Sequence, residues 1–335
     1  MIILIPFLIS ALAVAFALPH WIHKTHSIGL VWEDMNKLER PKVSASGGIV
    51  VVMAFILGVL TYIAIRTFVL QADSVSLPIF ALMSMILILA IVGLTDDLLG
   101  WKHGGLSVRF RIFLACIASI PLIVINAGQS KILLPFIGLV NLGLIYPLVL
   151  IPIGIVGATT TYNFLAGFNG LESSQGILIL SALSLVAYAT GSSWLSIIGL
   201  CMVASLLVFY LYNKYPARVF PGDIMTYSIG ALIAGMAILG NMERIAIFFF
   251  IPYILEVVLK VRGKLKKQSF GAPQKDGSLE LQYEKFYGLE HVSIAVLNKI
   301  NPSGKVFEKD VVYLINSFQI VIILLGLWIF KIPVM

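Results

Sequence analysis

Ten long apolar stretches run through the sequence and constrain its fold more than any other feature. A helix needs about 20 mainly apolar residues to cross a bilayer, and ten segments approach this length. They lie at about 1–19, 48–69, 77–95, 109–127, 143–162, 174–190, 194–212, 225–240, 244–261 and 311–331. We therefore expect an all-α polytopic membrane protein with about ten transmembrane helices.

The composition agrees with a membrane protein that has one domain. Of the 335 residues, 59% are hydrophobic and only 12% are charged, against about 25% charged residues in soluble domains. No polar interval is long enough for a separate soluble domain, so residues 1–335 form one domain, with 262–310 as a cytoplasmic capping loop. Both cysteines fall inside predicted spans, which argues against a disulfide framework or a thiolate metal site.

The basic residues predict the topology. With the N-terminus outside, all but four of the 23 Lys and Arg residues fall in inside loops or at the inside ends of spans. Positive charge marks cytoplasmic loops, so both termini are expected outside. The net charge of +7 is therefore explained by basic residues that orient the protein in a lipid bilayer. No nucleic acid partner is expected.

Three polar motifs follow or precede apolar segments, and all fall on the inside face of this topology. They are Asp96-Asp97, the run Asn-Phe-Leu-Ala-Gly-Phe-Asn-Gly-Leu-Glu at 163–172, and Phe220-Pro-Gly-Asp223. The outside loops carry no comparable sequence. Polar groups are costly at the ends of apolar spans unless they line a site, so this placement indicates one site on the cytoplasmic face.

The charged residues suggest what this site binds. The carboxylates of Asp96 and Asp97 repel each other and oppose the dipole at a helix C-terminus, which a bound divalent cation would relieve. Arg109 and Arg111 are either headgroup anchors or ligands of a diphosphate. Lys37, in the first inside loop, is either a topology signal or a substrate ligand.

The uncharged polar residues fit the same interpretation. Asn163 and Asn169 offer amide groups that coordinate a hard cation or read a base edge, and Gly167 lets the backbone approach a flat ligand. Gly-rich helix junctions also serve helix packing alone, so that alternative stays open. Asp223 stands where a helix N-cap is expected. The alternative to a functional role is therefore that Asp223 only caps the helix.

The loop before the last segment is predicted to fold as a cap over the inside surface. After Asp276-Gly277, apolar and polar residues alternate, which predicts a strand that follows a turn. Residues 292–300 predict a short amphipathic helix that opens near His291, and this histidine is either structural or substrate-binding. We expect a small β-hairpin and an amphipathic helix in this loop.

Together the three motifs resemble one known family. In this order, and on about ten spans, they look like the polyprenyl-phosphate N-acetylhexosamine-1-phosphate transferases of glycosyltransferase family 4. The run Asn-x-Leu-Ala-Gly-x-Asn-Gly-Leu-Glu is most similar to the eukaryotic and archaeal branch, which acts on UDP-GlcNAc and dolichyl phosphate. The resemblance covers essentially the whole chain.

The resemblance implies roles for the matching residues. Asn163 and Asp223 would bind Mg²⁺, with Mn²⁺ as a possible substitute, and Asp96 and Asp97 would lie beside the lipid phosphate and the metal. With Lys37, these two aspartates are the candidate catalytic residues. The candidate substrate-binding residues are Asn169 for uracil, Gly167 and Phe220 for its two faces, Arg111 for the diphosphate, and Glu172, Arg109 and His291.

The implied reaction transfers GlcNAc-1-phosphate from UDP-GlcNAc to dolichyl or another polyprenyl phosphate and releases UMP. It is the first membrane step in assembling a lipid-linked oligosaccharide for protein glycosylation. The loop 270–274 lacks arginines that eukaryotic relatives have there, so transfer from another UDP-N-acetylhexosamine is the alternative. A lipid or nucleotide-sugar transporter is a remote alternative, because we find no convincing internal repeat and the motifs cluster at one face.

We favour direct attack by the lipid phosphate over a covalent intermediate on Asp96 or Asp97. A phosphate monoester is already largely dianionic at neutral pH, so it needs no strong general base. The resemblance further implies a homodimer in the plasma membrane of a prokaryote.

Overall fold

Helices account for most of this computed structural model, which describes residues 2–72, 74–134 and 138–332. The helices are α1 (Ile5–Ile28), α2 (Gly48–Ala64), α3 (Ser76–His103), α4 (Val108–Ala118), α5 (Ile120–Val124), α6 (Ile151–Tyr162), α7 (Leu171–Ala189), α8 (Ser193–Asn213), α9 (Gly222–Leu239), α10 (Glu243–Phe249), α11 (Ile251–Arg262), α12 (Leu289–Ile300) and α13 (Glu308–Ile329). Within the described ranges, seven are long and apolar enough to cross a bilayer: α1, α2, α3, α7, α8, α9 and α13. The chain is thus an integral membrane protein with a mostly helical fold.

The other three predicted spans correspond to helices that are short or interrupted. The fourth is divided at Ser119 into α4 and α5, and Pro121 lies in the first turn of α5. The ninth is divided at Phe250 into α10 and α11, and Pro252 lies in the first turn of α11. Proline lacks a backbone N–H and clashes with the preceding turn, so each predicted span becomes two pieces. The fifth is α6, preceded by one π-helical turn at Tyr146–Leu150.

Small antiparallel hairpins join some of these helices in the described ranges. They are β1 (Val31–Glu33) with β2 (Lys42–Ser44), β3 (Lys131–Leu134) with β4 (Gly138–Asn141), and β5 (Ala272–Pro273) with β6 (Leu279–Glu280). The third hairpin and α12 match the predicted β-hairpin and short helix, although β6 is shorter than the alternating pattern. The first two hairpins were not predicted from the sequence.

Helix α9 lies at the centre of the bundle and is the most buried of the seven long helices. It packs against α2, α3 and α6. Two glycines allow this close packing: a Cβ on Gly93 would lie 2.6 Å from the Asp223 backbone, and one on Gly230 would lie 2.7 Å from Thr159 Cα. Small residues let helix backbones approach each other in membrane proteins. The C-terminal ends of α3 and α6 are therefore brought close to the N-terminal end of α9.

The hairpin β1–β2 is joined to the loop that precedes α9. The backbone N–H of Phe220 donates to Ser44 O at 2.8 Å, and the N–H of Gly47 donates to Phe220 O at 2.9 Å. A third bond, from Gly48 N to Pro221 O at 2.9 Å, continues the contact. The segment from β1 to the start of α2 therefore forms one wall beside the start of α9.

Candidate active site

A cavity of about 610 Å³ opens where α6 ends and α9 begins, beside Asp97 of α3 and next to the β1–β2 hairpin and Phe270. Its lining comes from every polar motif found in the sequence. Of the predicted site residues it includes Asp97, Asn163, Gly167, Glu172, Phe220 and Asp223. This is the size expected for a pocket that encloses a small molecule, and it makes the cavity the candidate active site.

Asp97 connects α3 to the start of α9. Its Oδ1 accepts a hydrogen bond from the backbone N–H of Asp223 at 2.8 Å, and Gly222 has a φ of 73°. A Cβ on Gly222 would lie 2.2 Å from Asp97 Oδ2. Asp97 thus occupies the N-terminus of α9, where an anion is favoured by free N–H groups and the helix dipole.

Asp223 is not the N-cap of α9, so the alternative that it only caps this helix is wrong. It lies inside the first turn, and the N-cap position is Pro221. Because Asp97 satisfies the N–H of Asp223, the side chain of Asp223 is available to line the cavity. This arrangement favours the functional interpretation of both carboxylates.

Arg111 lies between two of the three carboxylates at this end of the cavity. Its Nη1 is 2.8 Å from Asp96 Oδ2 and 3.5 Å from Asp223 Oδ2. Asp96 also accepts a hydrogen bond from the backbone N–H of Leu106 and does not itself line the cavity. Arg109 is exposed and also lies outside the lining. Asp96 therefore holds Arg111 in place beside Asp223.

The donor set at this wall suits a hard divalent cation. Asp97, Asn163 and Asp223 all line the cavity, and carboxylate and amide oxygens are the ligands that Mg²⁺ prefers in proteins. Among the described residues, three carboxylates meet here and Arg111 is the one guanidinium in contact with them, so acidic groups outnumber basic ones in the cluster. In the described ranges no group of three or more His, Cys, Asp or Glu side chains is arranged to hold a metal ion.

Asn163 ends α6 at the edge of this cluster. Its Oδ1 accepts a hydrogen bond from Thr226 Oγ1 at 3.0 Å, and Thr226 is the fifth residue of α9. A carbonyl oxygen has two lone pairs, so this contact orients the amide and leaves one lone pair for a ligand. The pairing fixes the predicted metal ligand relative to Asp223.

Gly167 forms a flat part of the cavity wall. Its φ is 103°, its N–H donates to Glu172 Oε1 at 3.0 Å, and its carbonyl accepts from Asn36 Nδ2 at 2.8 Å. A Cβ here would lie 2.8 Å from the Phe270 ring. Phe220 lines the same cavity, so Gly167, Phe220 and Phe270 offer apolar surfaces suited to a flat ring.

Asn169 and Lys37 lie behind the cavity wall rather than on it. The N–H of Asn169 donates to Glu308 Oε1 at 2.7 Å, and its Nδ2 donates to Asp34 Oδ2 at 3.0 Å. Lys37 Nζ lies 2.9 Å from Glu308 Oε2 and also binds Asp34. Burial acts to lower the pKa of Lys37, but the carboxylates of Glu308 and Asp34 outweigh it and raise this pKa.

His291 is buried in the cap and holds the backbone of Phe270. Its Nδ1 accepts from the backbone N–H of Tyr287 at 3.2 Å, and its Nε2 lies 3.3 Å from Phe270 O. Burial lowers the pKa of His291 below its ordinary value. A neutral imidazole matches both contacts, since Nδ1 must accept and Nε2 can then donate. The histidine is a support for Phe270 and lies outside the cavity lining.

Sequence reasoning missed several residues that line or support the cavity. The most prominent are Asp34, Asn36 and Phe270. The first two belong to the unpredicted β1–β2 hairpin, whose short strands carry little pattern. Asp34 lies in a loop that carries both acidic and basic residues, and no sequence pattern showed that it is buried.

Comparisons with known proteins agree with these motifs. The family described as glycosyl transferase family 4 matches residues 79–241. A protein of Saccharolobus solfataricus is 36% identical over 293 residues, which cover 87% of each chain. The chain belongs to glycosyl transferase family 4. The residues matched by the family contain every predicted site residue except Lys37 and His291.

The relatives of this chain carry different names. The Saccharolobus protein is named, as a prediction, a UDP-N-acetylglucosamine–dolichyl-phosphate N-acetylglucosaminephosphotransferase. A Dictyostelium discoideum protein with that name is 29% identical, over 71% of this chain and 66% of its own length. A phospho-N-acetylmuramoyl-pentapeptide-transferase from Streptococcus equi subsp. zooepidemicus is 30% identical, over 79% and 82%.

Proposed function

We propose that this membrane enzyme transfers GlcNAc-1-phosphate from UDP-GlcNAc to dolichyl or another polyprenyl phosphate, with release of UMP. The observation that carries the proposal is the convergence of Asp97, Asn163 and Asp223 on one cavity, beside Arg111, in a chain of this family. The names of the archaeal and Dictyostelium relatives support this donor and acceptor.

The reaction brings several negative charges together, so catalysis consists mainly of positioning and charge neutralisation. An oxygen of the lipid phosphate attacks the sugar-linked phosphorus of the donor, and the bond from that phosphorus to the oxygen of UMP breaks. Arg111 lies next to Asp223, where it neutralises the diphosphate. Gly167 and Phe220 enclose the uracil ring, and Asn169 supports the loop that carries Gly167.

We propose Mg²⁺, with Mn²⁺ as a substitute, held by Asn163, Asp223 and Asp97. When bound, the ion would neutralise charge that develops on the diphosphate. The chain's own groups prepare this position: Asp97 holds the start of α9, and Thr226 orients the amide of Asn163.

Direct attack by the lipid phosphate is favoured over a covalent aspartyl intermediate. Asp97 accepts from the backbone at Asp223, and Asp96 is held by Arg111 and the N–H of Leu106. A carboxylate oxygen whose lone pairs already accept hydrogen bonds is less free to attack phosphorus. Trapping of a labelled sugar-phosphate on the protein without acceptor would contradict this step.

In the membrane we propose ten spans, with α4–α5, α6 and α10–α11 added to the seven long helices. The cavity then faces the cytoplasm, and both termini lie on the other side. The single domain has residues 262–310 as its cap, and the protein assembles as a homodimer.

The proposal is tested with purified protein, UDP-[³H]GlcNAc and dolichyl phosphate, with Mg²⁺, with Mn²⁺ and with EDTA. We expect labelled lipid and UMP in equal amounts only when a metal ion is present. The variant Asp223→Asn should lose nearly all turnover, whereas Asp276→Asn, an exposed acid of the cap paired with Lys305, should retain it. Turnover of another UDP-N-acetylhexosamine alone would change the donor, and no turnover with any UDP-sugar in folded protein would reject the transferase.

A further inference from the structure

A second cavity of about 260 Å³ adjoins the active site, and we call it the side pocket. The two cavities share Asn163, Ala166, Gln268 and Phe270 in their linings. Since Asn163 is a proposed metal ligand, the side pocket begins next to the reacting groups. It lies between the end of α6 and the segment that follows α11.

The two cavities differ in the sign of their charge. Among the described residues, the lining of the active-site cavity includes five acids and no Lys or Arg: Glu33, Asp34, Asp97, Glu172 and Asp223. The described lining of the side pocket includes Lys260 and Lys267 and no acid. An anion in the first cavity therefore needs a cation with it, whereas the side pocket attracts an anion directly.

Lys260 is held in position from behind. Its ammonium donates to Ser269 Oγ and lies 3.6 Å from Glu256 Oε1 in an ion pair. The side chain of Lys260 is only 13% exposed and that of Glu256 is fully buried. An ammonium has three donors, so at least one remains for a ligand in the side pocket.

Lys267 is held by two aromatic rings of the cap. Its Nζ lies 4.7 Å from the centroid of the Tyr283 ring and 5.9 Å from that of Tyr287. The two rings meet edge to face, with centroids 5.5 Å apart. Ring faces attract a cation without neutralising its charge, so this ammonium is positioned and still free to pair with an anion.

We propose that the side pocket is an anion site, in which Lys260 and Lys267 hold a phosphate or carboxylate group next to the reacting diphosphate. This inference rests on the proposed transfer reaction and deepens it. The phosphate of the acceptor lipid is the favoured source, because apolar Phe164 and Leu265 line the same pocket and suit the start of a prenyl chain. An acidic substituent on the donor sugar would have the same chemistry.

The test measures binding without turnover. A short-chain polyprenyl phosphate and the matching uncharged polyprenol are titrated separately into the purified protein without a UDP-sugar. We expect Lys267→Met to weaken binding of the phosphate about tenfold, the effect of losing one charged hydrogen bond, and to leave binding of the polyprenol unchanged. Lys266→Met is the matched control, because Lys266 is exposed in the same basic segment and does not line the side pocket.

Two further pairs of variants separate positioning from folding. Tyr283→Phe keeps the ring face and should bind the phosphate as the native protein does, whereas Tyr283→Leu should resemble Lys267→Met. Lys260→Arg keeps the charge next to buried Glu256 and should be folded, so its binding can be compared directly with Lys260→Met. The anion site is supported if phosphate binding weakens in Tyr283→Leu and Lys260→Met but not in Tyr283→Phe and Lys260→Arg.

The remaining outcomes show whether the anion belongs to the acceptor lipid or to the donor sugar. They also separate the anion site from the proposed transfer reaction. If phosphate binding is unchanged but Lys267→Met raises the KM of a UDP-sugar with a carboxylate and not that of UDP-GlcNAc, the anion belongs to the donor. If neither changes, the anion site is rejected while the transfer reaction stands. Lysine-dependent binding of the polyprenyl phosphate in a protein without transferase activity would instead reject the proposed function and keep the site.

Discussion

At the scale of single residues, Gly222 determines whether Asp97 can hold the start of α9. Its φ of 73° favours glycine, and an added Cβ would lie 2.2 Å from Asp97 Oδ2. We expect Gly222→Ala to displace this carboxylate and lower kcat about 100-fold, the usual effect of a shift of about 1 Å at a reacting centre. Gly277→Ala is the control, since Gly277 has a φ of 80° and no atom within 4 Å of an added Cβ. Equal activity of the two variants would show that Asp97 has no positioning role.

His291 gives a pH dependence that can be measured at the same scale. Its pKa is lower in the folded protein than the ordinary value of 6.5, so the unfolded chain binds a proton first as the pH falls. The stability that His291 provides is complete above pH 6.5 and is lost as the pH falls from there towards the folded-state pKa. The thermal midpoint in detergent should therefore fall more steeply with acidification in the native protein than in His291→Gln. Parallel pH profiles would exclude this role.

The residues differ in how well the sequence predicted them. Asp97, Asn163 and Asp223 stand out because uncharged or unpaired polar groups at the ends of apolar spans need an explanation, and all three line the cavity. Asn169 was predicted to read the base, but its amide is engaged by Asp34 behind the wall. A side chain's direction depends on tertiary contacts 135 positions away, which no local pattern contains. The assigned roles themselves stay predictions.

At the scale of elements, a buried ion-pair network joins the β1–β2 loop to the start of α13. Lys37 lies between Asp34 and Glu308, and the two acids have side-chain exposures of 4% and 3%. We expect Lys37→Met to destabilise the protein by about 3–5 kcal/mol, because removing one partner leaves buried charge without compensation. Denaturation of the purified variant measures this loss.

The surface pair between Arg40 and Glu33 is the matched control for that network. Its side chains are 57% and 53% exposed, and such pairs contribute about 0–1 kcal/mol. Arg40→Met should therefore be close to the native protein in stability. The double variant with Lys37→Met and Glu308→Gln should recover part of the loss, and an additive loss would argue against direct coupling.

Elements with strong periodicity or long apolar runs were predicted well. The seven long helices and the cap hairpin with α12 follow from such patterns. The β1–β2 hairpin was not predicted because its strands have three residues each and are held by Phe220 from a distant loop. The interrupted fourth and ninth spans contain Pro121 and Pro252. These prolines indicated a break in each helix, but the spans were predicted from hydropathy alone.

At the scale of the whole molecule, the topology decides whether the site can reach a cytoplasmic nucleotide. In the proposed ten-span topology, most basic residues belong to loops on the same face as the cavity and the cap. Positive charge is retained on the cytoplasmic side, so we expect the cap inside and both termini outside. A cysteine placed at Lys266 and one added at the N-terminus, each in a chain with Cys116→Ser, provide the comparison.

An impermeant maleimide should label the N-terminal cysteine in intact cells and the Lys266→Cys variant only in inverted vesicles. Cys201 is buried and remains in both chains as the unlabelled background. UDP-GlcNAc added outside inverted vesicles should then support transfer, because the cavity and the labelled cap lie on the same face. Labelling of Lys266→Cys in intact cells would reverse the topology and place the donor site on the side of the membrane that lacks nucleotide sugars.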